Sequence, residues 1–267
     1  MMKEKHRYAG PGRVVQIERA GDICTLEMSC PEICASALPG QFVMVRTNDD
    51  TSSDPLLPRP FSIHRRSGER LIIIFKIMGR GTDRLARLQP GKAVQLVGPL
   101  GNGFTIGIGT ERHLLVGGGM GIAPLHFLAE TIQQQRPATS ITVLLGARTA
   151  AELESFNGLS DLPGIFITKA TDDGSAGHHG LVTDLLSVAL AEPPSATVYC
   201  CGPQPMMAKV AEICRARRTP CQVSLEAHMA CGIGACLGCA LPGRDQAKNY
   251  LHVCMEGPVF TAEAIWP

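Results

Sequence analysis

The sequence predicts a β plus α/β protein in three parts: an N-terminal antiparallel barrel, a doubly wound parallel-sheet domain, and a small C-terminal segment organised by metal. Three observations lead there. Short β-rich runs broken by Gly/Pro turns fill residues 12 to about 105, strands alternate with helices from about 112, and the chain beyond Gln222 gathers four cysteines at a ligand spacing.

The barrel is expected over residues 1–108. Its runs are Arg13–Ile17, Cys24–Met28, Gln41–Arg46, Leu71–Met78 and Ala93–Val97, short and regularly spaced. Strands of that kind close most readily on themselves. The second part, 109–221, opens with the apolar strand Leu114–Val116, which meets Gly117–Gly119 and a helix over Ala123–Gln134. Strands follow at Ile141–Leu145, Ile165–Ala170 and Thr197–Cys201, with helices at Leu181–Leu190 and Pro205–Arg217. Such alternation requires crossover connections and a parallel sheet. The last part, 222–267, is Gly- and Cys-rich and too short to bury a core of its own.

Composition narrows the function. Of 267 residues 45% are hydrophobic, enough for two cores. Charge nearly cancels, with 25 Lys+Arg against 24 Asp+Glu, and aromatic residues are 4%, so neither a basic nor a stacking surface for nucleic acid is expected. No apolar run approaches a membrane span. The charged stretch Met1–Tyr8 lacks the apolar centre of a signal peptide, so a soluble cytoplasmic protein is expected. Eleven cysteines, an odd number with Cys24, Cys200 and Cys201 in apolar contexts, do not form a secreted disulfide framework. Seven read as buried thiols in a reducing compartment.

The other four carry the strongest signal. Cys231, Cys236 and Cys239 lie within nine residues, and Cys254 follows after fourteen more. This is the C-x4-C-x2-C…C spacing of a plant-type 2Fe–2S cluster. Gly232, Gly234 and Gly238 let the loop turn its N–H groups toward the sulfurs. Structural zinc also takes four cysteines, but usually from two separated knuckles.

Two further constellations suggest nucleotides. Arg59-Pro60-Phe61-Ser62 is followed by Ile74-Phe75-Lys76 and by Gly81-Thr82. A flavin needs cations for its pyrophosphate, here Arg59 and Lys76, and a donor near its ring, here Ser62, while Gly81 and Thr82 open a helical turn. Taken singly, these are also an edge strand and an ordinary turn. Gly118, Gly119 and Gly121 follow a strand and open a helix without completing G-x-G-x-x-G, and no acidic residue caps the next strand, which ends Gly146-Ala147-Arg148. Cys201-Gly202-Pro203 ends the fourth strand, where open α/β sheets bind ligands. Both sets fit a nicotinamide dinucleotide, and each alone also fits a structural turn.

Together these motifs resemble the ferredoxin–NADP reductase superfamily. Within it, Leu225–Gly232, the ending Cys254–Phe260 and the run Thr171–Ser175 leading into Gly180–Asp184 resemble the electron-transfer subunits of dihydroorotate dehydrogenase, across nearly the whole chain. Phe61 stands where the superfamily often has Tyr, which removes one hydroxyl contact. The resemblance implies FAD on the barrel, NAD on the α/β domain and 2Fe–2S on Cys231, Cys236, Cys239 and Cys254. It also implies an FMN-containing catalytic partner that oxidises dihydroorotate, in a heterotetramer of two plus two, serving pyrimidine biosynthesis.

The chemistry is coherent without the resemblance. A 2Fe–2S cluster moves single electrons, nicotinamide takes two as hydride, and a flavin handles both, so a chain with all three is a relay and needs no catalytic acid or base. Glu226 reads equally as a flavin-side group and as a surface carboxylate. The alternatives are the small subunit of an NADPH–ferredoxin or sulfide dehydrogenase-type complex, a stand-alone flavin/iron–sulfur reductase, and a zinc-stabilised binding module. Preference between NAD and NADP stays open, because Arg148 suits a 2′-phosphate, a pyrophosphate or solvent equally.

Overall fold

The structure is a computed structural model and describes residues 7–48, 53–107, 109–154, 162, 164–192, 196–242 and 250–266. The first six residues of the charged N-terminal stretch lie outside the described residues. The chain divides into two units. One comprises Met1–Gly103, Glu226–Pro242 and Tyr250–Pro258; the other comprises Phe104–Leu225, Gly243–Asn249 and Val259–Pro267.

The first unit begins with β1 (Tyr8–Ala20), β2 (Ile23–Ser29), α1 (Pro31–Ser36), β3 (Phe42–Val45), β4 (Arg59–Ser62), β5 (Arg65–Ser67), β6 (Arg70–Lys76), α2 (Arg80–Ala86) and β7 (Ala93–Leu100). Among the described residues these strands form a seven-stranded antiparallel sheet in the order β4-β3-β7-β1-β2-β6-β5. Burial alternates along β7, the signature of a strand with one face on a core. β4 and β5 lie at opposite edges, yet only Ile63 and His64 separate them. Ile63 N–H donates to Gln41 O at 3.0 Å and His64 N–H donates to Ile72 O at 3.0 Å. This one stretch therefore touches both edges and curls the sheet on itself, leaving few exposed strand edges. The Phe61 and Phe75 rings, 5.4 Å between centroids, meet across the same seam. Val14, Leu26, Met28, Val43, Ile73 and Leu96 fill the interior.

The second unit runs β8 (Arg112–Gly118), a 3₁₀ turn (Gly119–Gly121), α3 (Ile122–Gln135), β9 (Ser140–Ala147), α4 (Ala150–Glu154), β10 (Ile165–Thr171), β11 (His178–His179), α5 (Val182–Ala189), β12 (Ala196–Cys201), α6 (Gln204–Ala216) and β13 (Cys221–Ser224). These strands are all parallel, in the order β11-β10-β9-β8-β12-β13. β8 and β12 are buried almost throughout because helices cover both faces. α6 buries Met207, Val210, Ala211 and Cys214, one stripe at helical spacing.

The C-terminal part differs from the sequence expectation. It forms β14 (Ala240–Pro242), β15 (Tyr250–His252), β16 (Val259–Thr261) and α7 (Ala262–Ile265). The first two make a hairpin grouped with the barrel unit, while β16 pairs antiparallel to β13 at the edge of the α/β sheet. The sheet therefore continues beyond residue 221, and it is parallel except at this last strand. Val259 and Phe260 are buried by this pairing, which also covers the otherwise open edge of β13.

Candidate functional site

The cysteine loop is built by backbone geometry. Gly232 has φ 71°, Gly234 φ 84° and Leu237 φ 58°, so the chain reverses three times within six residues. A Cβ at Gly232 would stand 2.5 Å from Met44 Cγ, and one at Gly234 would stand 2.9 Å from Met255 Cγ, so both positions require glycine. Cys231 Sγ accepts N–H bonds from Ile233 at 3.4 Å and Cys236 at 3.3 Å. Burial raises this thiol, but hydrogen bonds from the backbone of Ile233 and Cys236, the Cys236 side chain and the backbone of Ala235 outweigh it and bring it down to about 7. Cys254 is delivered by the β14–β15 hairpin, where Val253 N–H donates to Cys239 O at 3.1 Å. Its Sγ lies 3.2 Å from Cys239 Sγ, and its N–H donates to that sulfur at 3.5 Å. Burial first, and the Cys239 thiol second, push Cys254 up to about 12.

The thiols thus fall into two pairs, Cys231 with Cys236 and Cys239 with Cys254. Among the described residues no group of three or more His, Cys, Asp or Glu is placed to hold one metal ion. Division two and two is the donor arrangement of a binuclear iron–sulfur cluster, and backbone N–H groups already aimed at sulfur are its usual supporting contacts. The residues present therefore fit a 2Fe–2S cluster. Asn102 anchors the ending of the loop to the barrel through Met255 O at 3.2 Å and Glu256 O at 2.6 Å.

On the barrel, β3–β4 pairing sets Val45 opposite Arg59, so Thr47 and Arg59 project to the same face. Thr47 Oγ1 is buried and has no hydrogen-bond partner among the described residues. It lies 3.3 Å from where a Cβ on Gly81 would stand, and Arg59 Nε lies 3.5 Å from the same point. A guanidinium, an unsatisfied hydroxyl and a bare backbone thus converge. Arg59 donates through Nη1 to Leu57 O at 2.8 Å, and it forms no ion pair among the described residues. This set fits a phosphate-bearing cofactor. Sequence reasoning missed Thr47, because only the strand register brings it there.

Other expected flavin residues are occupied differently. Lys76 Nζ lies 3.1 Å from Asp22 Oδ2. Thr82 Oγ1 accepts Met78 N–H at 2.9 Å and Gly79 N–H at 3.2 Å and donates to Gly79 O at 3.0 Å, so its hydroxyl holds its own turn. Pro60, Phe61, Ser62 and Ile74 are half-buried, and Phe75 is buried beneath Phe61. Glu226 follows β13 and is exposed. Surrounding protein raises its carboxyl above the usual range, but with solvent reaching the side chain this makes no buried acid.

In the second unit, the turn after β8 and the end of β12 pack backbone on backbone. A Cβ at Gly121 would collide with the Cys201 carbonyl, one at Gly118 would stand 2.6 Å from Met206 Sδ, and one at Gly202 would stand 3.0 Å from Gly118 N. Gly119 has φ 53° and Gly202 φ 155°, both in glycine's region. The six expected residues are therefore neighbours. Beside them, at the carboxyl ends of β8, β9 and β10, opens a cavity of about 400 Å³. Gly118, Gly119 and Pro203 line it with Arg148, Glu152, Asp172, Thr183 and Lys209. Its place at the strand ends suits a dinucleotide.

Known proteins resemble this chain over most of its length. Residues 226–266 match the family described as the iron–sulfur cluster binding domain of dihydroorotate dehydrogenase B, and residues 115–212 match the oxidoreductase NAD-binding domain. The dihydroorotate dehydrogenase B (NAD+) electron transfer subunit of Caldanaerobacter subterraneus subsp. tengcongensis is 41% identical over 85% of this chain and 86% of that protein. Its counterpart in Desulforamulus reducens is 37% identical over 90% and 92%. Among solved structures, a chain of the NADH-dependent reduced ferredoxin–NADP oxidoreductase superposes with TM-score 0.80 at 29% identity, covering 95% of this chain and 89% of that one. The ferredoxin NADP+ reductase of Neisseria gonorrhoeae, at 16% identity and TM-score 0.64 over 78% and 91%, shares the fold.

Proposed function

This chain belongs to the family of dihydroorotate dehydrogenase B (NAD+) electron-transfer subunits, and from that premise we propose which residues serve each step and how it assembles. It is an oxidoreductase subunit that uses FAD, a 2Fe–2S cluster and NAD+, and it works with an FMN-dependent catalytic subunit in pyrimidine biosynthesis. When bound, the cluster exchanges single electrons, the flavin one or two, and NAD+ takes two as hydride.

Cys231 and Cys236 hold one iron, and Cys239 and Cys254 hold the other. The division of the thiols into two pairs carries this reading. Arg59, with Gly81 giving close approach, takes the FAD pyrophosphate, and Pro60, Phe61, Ser62, Ile74 and Phe75 form the flavin surface, with Thr82 bracing the turn that carries Gly81 and Lys76 at its margin, paired with Asp22. Gly118, Gly119, Gly121, Cys201, Gly202 and Pro203 shape the NAD+ site. In these terms residues 1–108 serve FAD, 109–221 serve NAD+, and 222–267 serve the cluster.

The cluster loop exposes Ile233 and Leu237, 43% and 57% accessible, on a turn too short to screen a cluster from solvent. That face docks the catalytic subunit, in a two-plus-two assembly within the cytoplasm. Among the described residues no helix is long and apolar enough to cross a membrane. The test is reconstitution. Alone, the chain should reduce dyes with NADH and leave dihydroorotate untouched; with the FMN subunit it should couple dihydroorotate oxidation to NAD+ reduction. A second reading, the small subunit of an NADPH–ferredoxin-type complex, draws on the TM-score of 0.80 to the ferredoxin–NADP oxidoreductase chain. Rapid reduction of free ferredoxin with no coupling to dihydroorotate would favour it.

A further inference from the structure

The cavity beside the glycine turn contains a group that the linear order of the sequence hides. β9 ends at Ala147 and Arg148 follows with no acid directly after it, but α4 turns the chain back and puts Glu152 in the cavity wall. Glu152 Oε2 accepts the Arg148 N–H at 3.0 Å and lies 3.5 Å from Arg148 Nε. Its Oε1 stands 4.0 Å from where a Cβ on Gly119 would be, so the carboxylate faces the glycine turn. The Arg148 side chain is 75% accessible and that of Glu152 only 25%: the cation reaches outward while the carboxylate stays in the wall.

Charge around the cavity is already committed. Arg148 is met by Glu152. Lys209 is held by both carboxylate oxygens of Glu212 at 3.0 Å. Asp172, also in the lining, forms no ion pair among the described residues. Among the described lining residues both cations, Arg148 and Lys209, thus have a carboxylate partner, while Asp172 has no cation.

We infer that Glu152 selects a nicotinamide dinucleotide with a free adenosine 2′-hydroxyl over one bearing a 2′-phosphate. The inference rests on the reading of this cavity as the nucleotide site. A carboxylate beyond the second strand of a doubly wound sheet can accept a hydrogen bond from a ribose hydroxyl. A 2′-phosphate monoester would instead bring roughly 1.5 to 2 negative charges against Glu152 and Asp172. The lining cation at that end, Arg148, is met by the carboxylate that repels the phosphate. Glu152 thus acts twice, as acceptor for NAD+ and as competitor for Arg148.

Equilibrium dialysis of the flavin- and cluster-loaded chain against NAD+ and NADP+ separately tests this without reference to turnover. The parent should prefer NAD+. Glu152→Gln should reduce that preference about ten- to a hundredfold, the scale of one charge-assisted contact, through weaker NAD+ and tighter NADP+. Glu152→Asp should keep the preference. The pair Arg148→Ala with Glu152→Gln should lose the gain in NADP+, because the released guanidinium supplies it. A Glu152→Gln chain whose preference stays within about twofold of the parent overturns the inference, as does one that loses both nucleotides equally. A parent that binds neither nucleotide overturns the cavity reading and the inference together. A parent that prefers NAD+ beside an unchanged variant overturns the inference alone.

Discussion

Replacing Thr47 with valine keeps the outline of the side chain and removes one oxygen. That oxygen is buried without a partner, on the face where Arg59 Nε and the bare backbone of Gly81 meet. An unsatisfied buried hydroxyl costs about 1–3 kcal/mol, which makes sense where a ligand completes the set. A hydrogen bond to a charged phosphate contributes about 1.5–3 kcal/mol, or roughly ten- to a hundred-and-fiftyfold in Kd. Thr47→Val should therefore weaken FAD by about tenfold or more. The flavin-free chain should not suffer, and should melt at the same temperature or up to a few degrees higher as the stranded hydroxyl is removed. Thr47→Ser, which retains the oxygen, should bind FAD within a few-fold of the parent.

The assay is a pair of measurements on one preparation: titration of the apo chain with FAD, followed by flavin fluorescence, and thermal melts of the apo chain. The opposite signs of the two effects are what the structure requires. An ordinary packing residue would lose stability and flavin affinity together. FAD affinity unchanged in Thr47→Val, or a fall in apo stability that accounts for the lost affinity, would refute the argument.

Further outcomes follow from the same geometry. Cys239→Ser should abolish or strongly perturb the reduced-state EPR signal, while Cys214→Ser, buried in α6, should leave it intact; equal loss in both would contradict the pairing of thiols. Acid release and chromatography of the bound flavin should yield FAD, and Arg59→Ala should weaken FAD binding by about 1.5–3 kcal/mol, read as lowered flavin occupancy. Gly121→Ala drives a methyl group into the Cys201 carbonyl, so a melt should show about 1–3 kcal/mol lost and dialysis a weakened NAD+. Leu237→Glu should weaken association with the catalytic subunit on size-exclusion chromatography while NADH–dye reduction stays near the parent rate.

What could be read from the sequence was local. The cysteine loop declares itself because three cysteines and their glycines lie within nine residues. The glycines before α3 and the Cys201–Pro203 ending are also short motifs, and sheet alternation gave the strands between them. Long-range register stayed hidden. Val259–Thr261 is three residues long, too short for periodicity to separate a strand from a tail, and becomes β16 only because β13 offers an edge.

Side-chain partners were hidden for the same reason. Lys76 and Arg59 look alike in sequence as cations near a flavin, yet the β1–β2 turn gives Lys76 an aspartate while no described carboxylate pairs with Arg59. Thr47 gains meaning from the pairing of Val45 with Arg59, which nothing near position 47 announces. Glu152 is the sharpest case. Scanning for an acid at the end of β9 finds Arg148 and stops, because the rule being applied concerns the end of a strand. The carboxylate arrives one helical turn later and is pulled back onto the Arg148 N–H. An acidic cap need not be adjacent in sequence, only within one turn of a donor that can hold it. For this fold, the five residues after the second strand therefore belong in any reading of nucleotide preference, and a basic residue found there should be discounted when an acid at the i+4 position can claim it.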